Sequence, residues 1–228
     1  MIRLVLALLL AYIPSAASLL KHAVQRAQTL GRTRDVTLIG NLSVGNDASR
    51  PAQLVLRFPL QCRLEDDGGL AVSVKGTPQN PADVAEGPSG PPLKLLQLAC
   101  PFLAYRGIRA EEAPDALRAA ARAAGADIGA GAGIERLADR VAYVLGATPH
   151  DAGSPQLWLY KDNGAPARLI AQGGADLRLL QYGTPAAAEW FPRVIELWTG
   201  GQLAARFEVM EAKGVRGTAH EEEPDSPE

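Results

Sequence analysis

Residues that usually carry chemistry are scarce in this sequence, which has two cysteines and three histidines among 228 residues. His22, His150 and His220 lie far apart, and no two of them have the spacing of a zinc site. No Gly-x-Ser-x-Gly elbow occurs, and the glycine-rich run 126–133 lacks the frame of a dinucleotide or phosphate loop. The sequence therefore predicts no enzyme activity, no metal and no cofactor.

A strong charge of either sign is also missing. The formal net charge is −2 and the isoelectric point is near 6.0, so the chain has no general attraction to phosphate backbones or anionic membranes. We therefore expect no nucleic-acid partner. With 47% hydrophobic and 21% charged residues, the composition is that of a globular protein with a core.

Long apolar runs are absent except at the N-terminus. There Arg3 precedes the apolar run 4–13, and Pro14 leads to Ser15-Ala16-Ala17, with small residues where a signal peptidase needs them. A membrane anchor is the weaker interpretation because roughly 20 apolar residues are needed to span a bilayer. The pattern predicts a signal peptide over 1–17, cleaved near Ala17, and a periplasmic mature chain.

The two cysteines, Cys62 and Cys100, have apolar neighbours at alternate positions, which predicts that both point inward from strands of one sheet. In an oxidising compartment two cysteines can pair. A disulfide is the first prediction, and two buried free thiols are the alternative that direction alone leaves open.

The first half of the mature chain changes from helical to strand periodicity. Residues 19–30 repeat at helical spacing before Gly31, and from residue 35 the period is two. A strand over 35–44 is followed by a second, long strand over 54–64, in which Pro59 indicates an edge or a bulge. The turn 66–69 then leads into a return strand from Leu70.

The middle of the chain is less regular. Residues 77–92 are rich in Pro, Gly and acidic side chains and predict a surface loop, after which 93–100 is an apolar run with strand parity. An Ala- and Arg-rich helix is expected over 114–124. Beyond Lys213 the chain becomes polar, so 213–228 is expected to be a disordered acidic tail.

The second half repeats one unit, an apolar strand followed by a turn marked by Gly or Pro. Asp162-Asn163-Gly164 and Gly200-Gly201 are residues that tolerate the positive φ of tight hairpins. The predicted strands are 140–147, 156–161, 168–172, 176–182, 193–199 and 203–210.

Two of these hairpins carry a family resemblance. They read Gln156-Leu-Trp-Leu-Tyr-Lys-Asp-Asn-Gly-Ala-Pro-Ala-Arg-Leu and Phe191-Pro-Arg-Val-Ile-Glu-Leu-Trp-Thr-Gly-Gly-Gln-Leu, with Arg168 or Arg206 on the return strand. Together with the signal peptide, the first helix and the helical insertion, they resemble the periplasmic outer-membrane lipoprotein carrier family, LolA/LolB-like, from about Leu19 to Glu211.

The resemblance implies an α+β fold over 18–212, in which a strongly curved antiparallel sheet forms an incomplete β-barrel with helices against its concave side. It implies a monomeric carrier or binder of lipoprotein acyl chains or a related lipid in outer-membrane lipoprotein sorting, without covalent chemistry and with inner- or outer-membrane transfer partners. An envelope sensor or assembly module with the same fold is the alternative. The candidate cavity residues, for each of which a filled core is the alternative, are Leu54, Leu56, Phe58, Leu70, Val72, Leu96 and Leu98.

Overall fold

The structure, a computed structural model, describes residues 13–28, 33–129, 132–148, 150–151, 153–182 and 191–216. These residues form one antiparallel sheet of 12 strands with helices against one face, as expected for an α+β fold. The helices are α1 (Ala16–Gln28), α2 (Pro91–Leu103) and α3 (Ala113–Ala123), and Tyr105–Gly107 is a 3-10 turn. The strands are β1 (Thr33–Val44), β2 (Arg50–Arg57), β3 (Gln61–Asp66), β4 (Ala71–Lys75), β5 (Val84–Glu86), β6 (Ala132–Leu137), β7 (Arg140–Leu145), β8 (Gln156–Tyr160), β9 (Pro166–Ile170), β10 (Asp176–Tyr182), β11 (Pro192–Thr199) and β12 (Gln202–Arg216).

The sheet consists of two meanders joined in the middle. Its order is β5-β4-β3-β2-β1-β12-β11-β10-β9-β8-β7-β6, and the long pair of β1 with β12 connects the N-terminal and C-terminal halves. Within the described residues, the outer strands β5 and β6 are not hydrogen-bonded to each other. The sheet is therefore an open half-barrel rather than a closed one.

Contacts of α2 show how strongly the sheet curves. This helix touches β4 and also β10, which are six strand steps apart in the sheet. Six steps of a flat sheet cover roughly 29 Å, whereas a helix of this length is only about 20 Å long. The sheet must therefore curl around α2, which occupies its concave side.

The concave side holds the core, because alternate residues of each strand point toward the helices. Leu54 and Leu56 of β2 stand directly opposite Leu64 and Cys62 of β3, and all four are buried. The intervening residues, such as Arg63, are exposed on the convex side. Strict alternation thus gives a buried face and a polar face, as a half-solvated antiparallel sheet requires.

The predicted strand over 54–64 is wrong, because β2 and β3 are two strands joined by a turn at 58–60. Pro59 has no N–H to donate to a ladder, and Leu60 has a φ of 55° that no strand contains. Leu60 stays buried and donates its N–H to the carbonyl of Ala104. The turn has three residues, so the even-numbered residues of β2 and of β3 point to the same side of the sheet.

The apolar run 93–100 belongs to a helix, not to a strand. Pro91 and Pro92 occupy the first turn of α2, where their missing N–H groups cost nothing. Most of this helix is buried, so apolar residues occur on all its sides and no helical stripe is visible in the sequence. Before it, the predicted loop 77–92 includes the short edge strand β5.

The helix over 114–124 and the six strands of the second half agree with α3 and β7 to β12 within two residues, except that β12 continues six residues beyond the predicted end at 210. Strand β6 was not predicted. At the β8–β9 turn Gly164 has a φ of +69°, and a Cβ there would lie 3.1 Å from the Cα of Ala23 in α1. Gly200 and Gly201 also have positive φ in the β11–β12 hairpin.

A row of charged and aromatic side chains crosses the convex face of the second half. Arg168 of β9 and Arg178 of β10 are direct cross-strand neighbours, and Asp176 lies between them with oxygens 2.8 Å and 2.9 Å from their nitrogens. The Arg168 guanidinium lies 5.0 Å from the Trp158 ring centre, and that of Arg178 lies over Trp198. The carboxylate thus offsets the repulsion of two like charges, while the arginines cover the indoles.

The expectations about the chain ends lie largely outside the described residues. Residues 1–12 of the predicted signal peptide and 217–228 of the predicted tail belong to this undescribed part. The prediction that the tail begins at residue 213 is wrong, because residues 213–216 pair with β1 and form the end of β12. The predicted helix over 19–30 corresponds to α1, which begins at Ala16, and residues 29–32 with its cap are not described. Among the helices that the structure describes, none has the length and hydrophobicity to cross a membrane.

Candidate ligand-binding groove

A groove of about 470 Å³ runs between the helices and the sheet, open to solvent on one side. One wall is α2, the second is α3, and the floor is the end of β9 with the turn that follows it. Its volume is within the range of sites that bind small organic molecules, which is about 300–1,000 Å³.

Ten of the lining residues are apolar, although polar atoms make up about half of the accessible lining. Ala120, Ala123 and Ala124 are spaced three and four residues apart, so they lie on one face of α3. Their small side chains leave the groove open on this side. Larger residues in the same positions would close the gap between α3 and the sheet. The apolar lining residues are Pro81, Ala82, Leu98, Pro101, Phe102, Ala120, Ala123, Ala124, Leu169 and Ala171.

Four polar side chains also line the groove. Asn80, Gln97 and Gln172 supply neutral hydrogen-bonding groups, and Lys94 supplies the one charged side chain among the described lining residues. Lys94 is exposed and makes no ion pair within the described part of the chain. The site thus combines apolar side chains, neutral hydrogen-bonding groups and one cation.

The disulfide fixes the helix that forms this wall. Cys62 of β3 and Cys100 of α2 are bonded, with their Cα atoms 5.8 Å apart. The pairing was predicted, although one of its stated grounds is wrong, since Cys100 lies on a helix rather than on a strand. The bond holds α2 against the sheet three residues from Leu103, where the helix ends.

Most of the predicted cavity residues lie elsewhere in the core. Leu54, Leu56 and Val72 on the strands and Leu96 in α2 are at most 1% exposed and belong to one packed cluster. Phe58 and Leu70 are half-buried in the turns before β3 and β4 and pack against the same cluster. Among the seven, Leu98 lines the groove. Contact of the other six with a ligand stays a prediction.

Three tyrosines lie close together beyond the C-terminal end of α2. The ring centres of Tyr160 and Tyr182 are 6.0 Å apart, and Arg140 lies 3.9 Å from the centre of the Tyr160 ring. Burial raises the pKa of Tyr105 and of Tyr160 to about 12, and it also raises the pKa of Tyr182. At neutral pH these phenols are protonated, so the cluster is a packing element and not a source of a base.

No three metal-ligating side chains come together within the described residues. His150 Nδ1 lies 2.9 Å from a Glu135 oxygen, but the imidazole is 86% exposed at the surface. General-base work needs a nucleophile within hydrogen-bond reach, and a solvated surface pair lacks that arrangement.

An open, strongly curved sheet around helices, with a groove at their junction, defines an α+β half-barrel. No protein-family model and no curated protein matches the chain. Among solved structures, a LolA superfamily protein, NE2245 from Nitrosomonas europaea, is similar at 14% identity and a TM-score of 0.40, covering 88% of this chain and 94% of that one.

Two further structures are similar. A DUF1329 family protein from Desulfovibrio piger has 12% identity and a TM-score of 0.48, and covers 90% of this chain and 96% of that one. The Pseudomonas aeruginosa MucA/MucB complex has 15% identity and a TM-score of 0.29, covering 90% of this chain but 59% of that one. Likenesses at such identities and TM-scores say nothing about residue roles, ligands or partners.

The groove residues other than Leu98 were not predicted as a site. From the sequence alone, Leu169 and Phe102 are indistinguishable from ordinary core residues, and Lys94 is indistinguishable from a solvated surface lysine. One signal was present, namely the alanines spaced three and four apart at 120, 123 and 124, which leave room beside a helix. The sequence alone does not show whether small side chains on a helix leave an open groove or allow a neighbouring element to pack closely against it.

Proposed function

We propose that the protein is an exported carrier or binder of acyl chains, from lipoproteins or a related lipid, and that it works without covalent chemistry. The groove between α2, α3 and β9 is the observation that carries this proposal. The signal-peptide pattern over 1–17 supports export to the periplasm, where a carrier in outer-membrane lipoprotein sorting would act.

The groove favours a chain-like apolar ligand over a compact polar one. Ten of its lining residues are apolar, against three neutral polar side chains and one lysine. Each methylene removed from water contributes about 0.8 kcal/mol, so eight methylenes contribute roughly 6 kcal/mol before the entropy of ordering the chain is subtracted. Lys94 is placed to attract the anionic end of such a ligand.

Blocking the groove tests the proposal. Ala123 is exposed at the groove margin and Arg122, its neighbour on α3, is exposed but does not line the groove. Ala123→Trp should therefore abolish binding of a fluorescent fatty acid at little cost in thermal stability, whereas Arg122→Trp should bind like the wild type. Equal binding by all three proteins would contradict the proposed site.

A charge variant tests the position of the ligand's anionic end. Lys94→Glu should weaken binding of a fatty acid several-fold and leave binding of the corresponding neutral alcohol unchanged. Lys161→Glu is the matched control, because Lys161 is an exposed lysine in the β8–β9 turn outside the groove. A wild type that binds neither probe would favour the alternative function, an envelope sensor or assembly module.

A further inference from the structure

A second groove lies on the convex face of the sheet, away from the helices. It also has a volume of about 470 Å³ and runs across the outward-facing residues of β2, β3, β4 and β5. Val55 and Val84 contribute apolar surface, whereas most of the lining is charged or polar. The proposed acyl-chain function does not use this face.

Two cations in the groove lack carboxylate partners. Arg57, Gln61 and Lys75 are direct cross-strand neighbours, so the two cations flank Gln61. Two strand spacings separate them, which is about 10 Å. Both are exposed, and neither makes an ion pair within the described residues. An extended, negatively charged segment crossing the strands would meet one cation after the other.

The groove also contains acidic groups, which have neighbours of their own. Glu65 binds Arg63 at 2.9 Å, and Glu86 accepts a hydrogen bond from Ser73 at 3.3 Å. Asp35 of β1 is the cross-strand neighbour of Arg57 but is not within ion-pair distance of it. The Ser73 hydroxyl does not neutralise Glu86, so the five charged side chains of the groove have a net formal charge of +1. The two cations without an ion-pair partner among the described residues are Arg57 and Lys75.

The last strand, β12, ends at the same edge of the sheet as these cations. Val215 of β12 pairs with Asp35, so Val215, Asp35, Arg57, Gln61 and Lys75 follow one another across the sheet. The chain therefore leaves β12 about 10 Å from Arg57 and about 19 Å from Lys75, at two and four strand spacings. Five extended residues span up to about 17 Å, which brings position 221 within reach of Arg57, and one further residue brings position 222 within reach of Lys75 at about 20 Å.

The segment that follows is strongly acidic. Residues 221–228 contain five carboxylates and no lysine or arginine. Because the formal net charge of the whole chain is −2, the remainder of the chain has a net charge of +3. Charge complementarity therefore exists between this segment and the rest of the protein, and the unpaired cations lie beside its point of attachment.

We propose that the convex groove of β2 to β5 binds an extended, carboxylate-rich peptide and that its occupant is the chain's own segment 221–228. Individual exposed ion pairs are weak. A short tether, however, gives the segment an effective concentration of order millimolar, which no free peptide reaches at ordinary protein concentrations. The contact is electrostatic and exposed, so salt above physiological strength weakens it.

Zero-length cross-linking with a carbodiimide tests this on the full chain at low protein concentration. We expect a cross-link between Lys75 and a carboxylate of 221–228, found by peptide mass spectrometry and reduced at least three-fold by 0.5 M salt or by Arg57→Glu. Lys161 is the control, since it is equally exposed but lies on the other half of the sheet. Tail cross-links that reach Lys75 and Lys161 equally would overturn the proposal.

Lysine labelling provides a second readout that needs no cross-link. A full-length variant with Glu221, Glu222, Glu223 and Glu228 changed to Gln and Asp225 changed to Asn should show at least three-fold faster acetylation of Lys75, with Lys161 unchanged. Unchanged labelling of Lys75 contradicts the proposal. Cross-linked dimers in place of the intramolecular product would also overturn it, because the occupant would then be another copy's tail.

Discussion

Removing the disulfide is the perturbation whose size follows most directly from the structure. Cys62 and Cys100 are 38 residues apart, and closing a loop of that length restricts the unfolded chain by about 4 kcal/mol in the chain-entropy description. A protein of this size has only about 5–15 kcal/mol of stability, so the loss is large. The free energy of unfolding falls by about 2 kcal/mol per molar urea, so the urea concentration at the unfolding midpoint should fall by about 2 M.

Urea unfolding of the double variant Cys62→Ala/Cys100→Ala, followed by tryptophan fluorescence and circular dichroism, measures this loss. Chemically reduced wild type is the control, because it keeps both side chains and separates loop closure from lost packing. Both cysteines are at most 3% exposed, so reduction should require denaturant. If the oxidised and reduced wild type differ by less than about 1 kcal/mol, the loop-closure reasoning is wrong.

Three other predictions concern the core, the convex face and the tyrosines. Leu56→Phe should cost about 1–3 kcal/mol in denaturant unfolding because Leu56 is fully buried in a packed cluster, and an unchanged stability would instead indicate open space around it. Asp176→Asn should cost about 1.5–3 kcal/mol, since it removes the charge between two neighbouring arginines, and a neutral effect would contradict that role. The folded state keeps the phenol protons of Tyr105 and Tyr160 up to a pKa of about 12, whereas the unfolded chain loses them near pH 10. The free energy of unfolding should therefore fall as the pH rises from 10 to 12, and ultraviolet difference spectra that show all tyrosines ionising together near pH 10 would contradict the burial argument.

Local patterns predicted the second half of the fold well. Each strand there is bounded by turn residues such as Gly164 and Gly200, and the pairing joins neighbours in sequence, so alternation and turn chemistry suffice. The pairing of β1 with β12 is different. It joins residues more than 160 positions apart, and no local signal indicates which strand will be the partner.

Burial of most of α2 explains the wrong prediction for 93–100. The run contains only two polar residues, Lys94 and Gln97, and therefore resembles a buried strand. The prolines at 91 and 92 were the usable signal, since they fit the first turn of a helix but not a central strand.

The groove was harder to predict than the fold, for a related reason. It depends on how far α3 stands from the end of β9, which is a matter of packing between elements distant in sequence. The apolar parity of β2 predicted inward-facing residues correctly, but inward residues such as Leu54 fill the core and do not border the groove. Periodicity predicts which side chains point inward, but it does not predict whether the space between packed elements is filled or open.

Native mass spectrometry of the protein purified from membrane-containing extracts tests the central claim most directly. We predict that the wild type and Arg122→Trp carry one acyl-bearing lipid per chain and that Ala123→Trp carries none while remaining folded. A wild type that carries no lipid and binds no added fatty acid, or an Ala123→Trp variant that retains the lipid fully, would contradict the claim that the groove between α2, α3 and β9 holds an acyl chain.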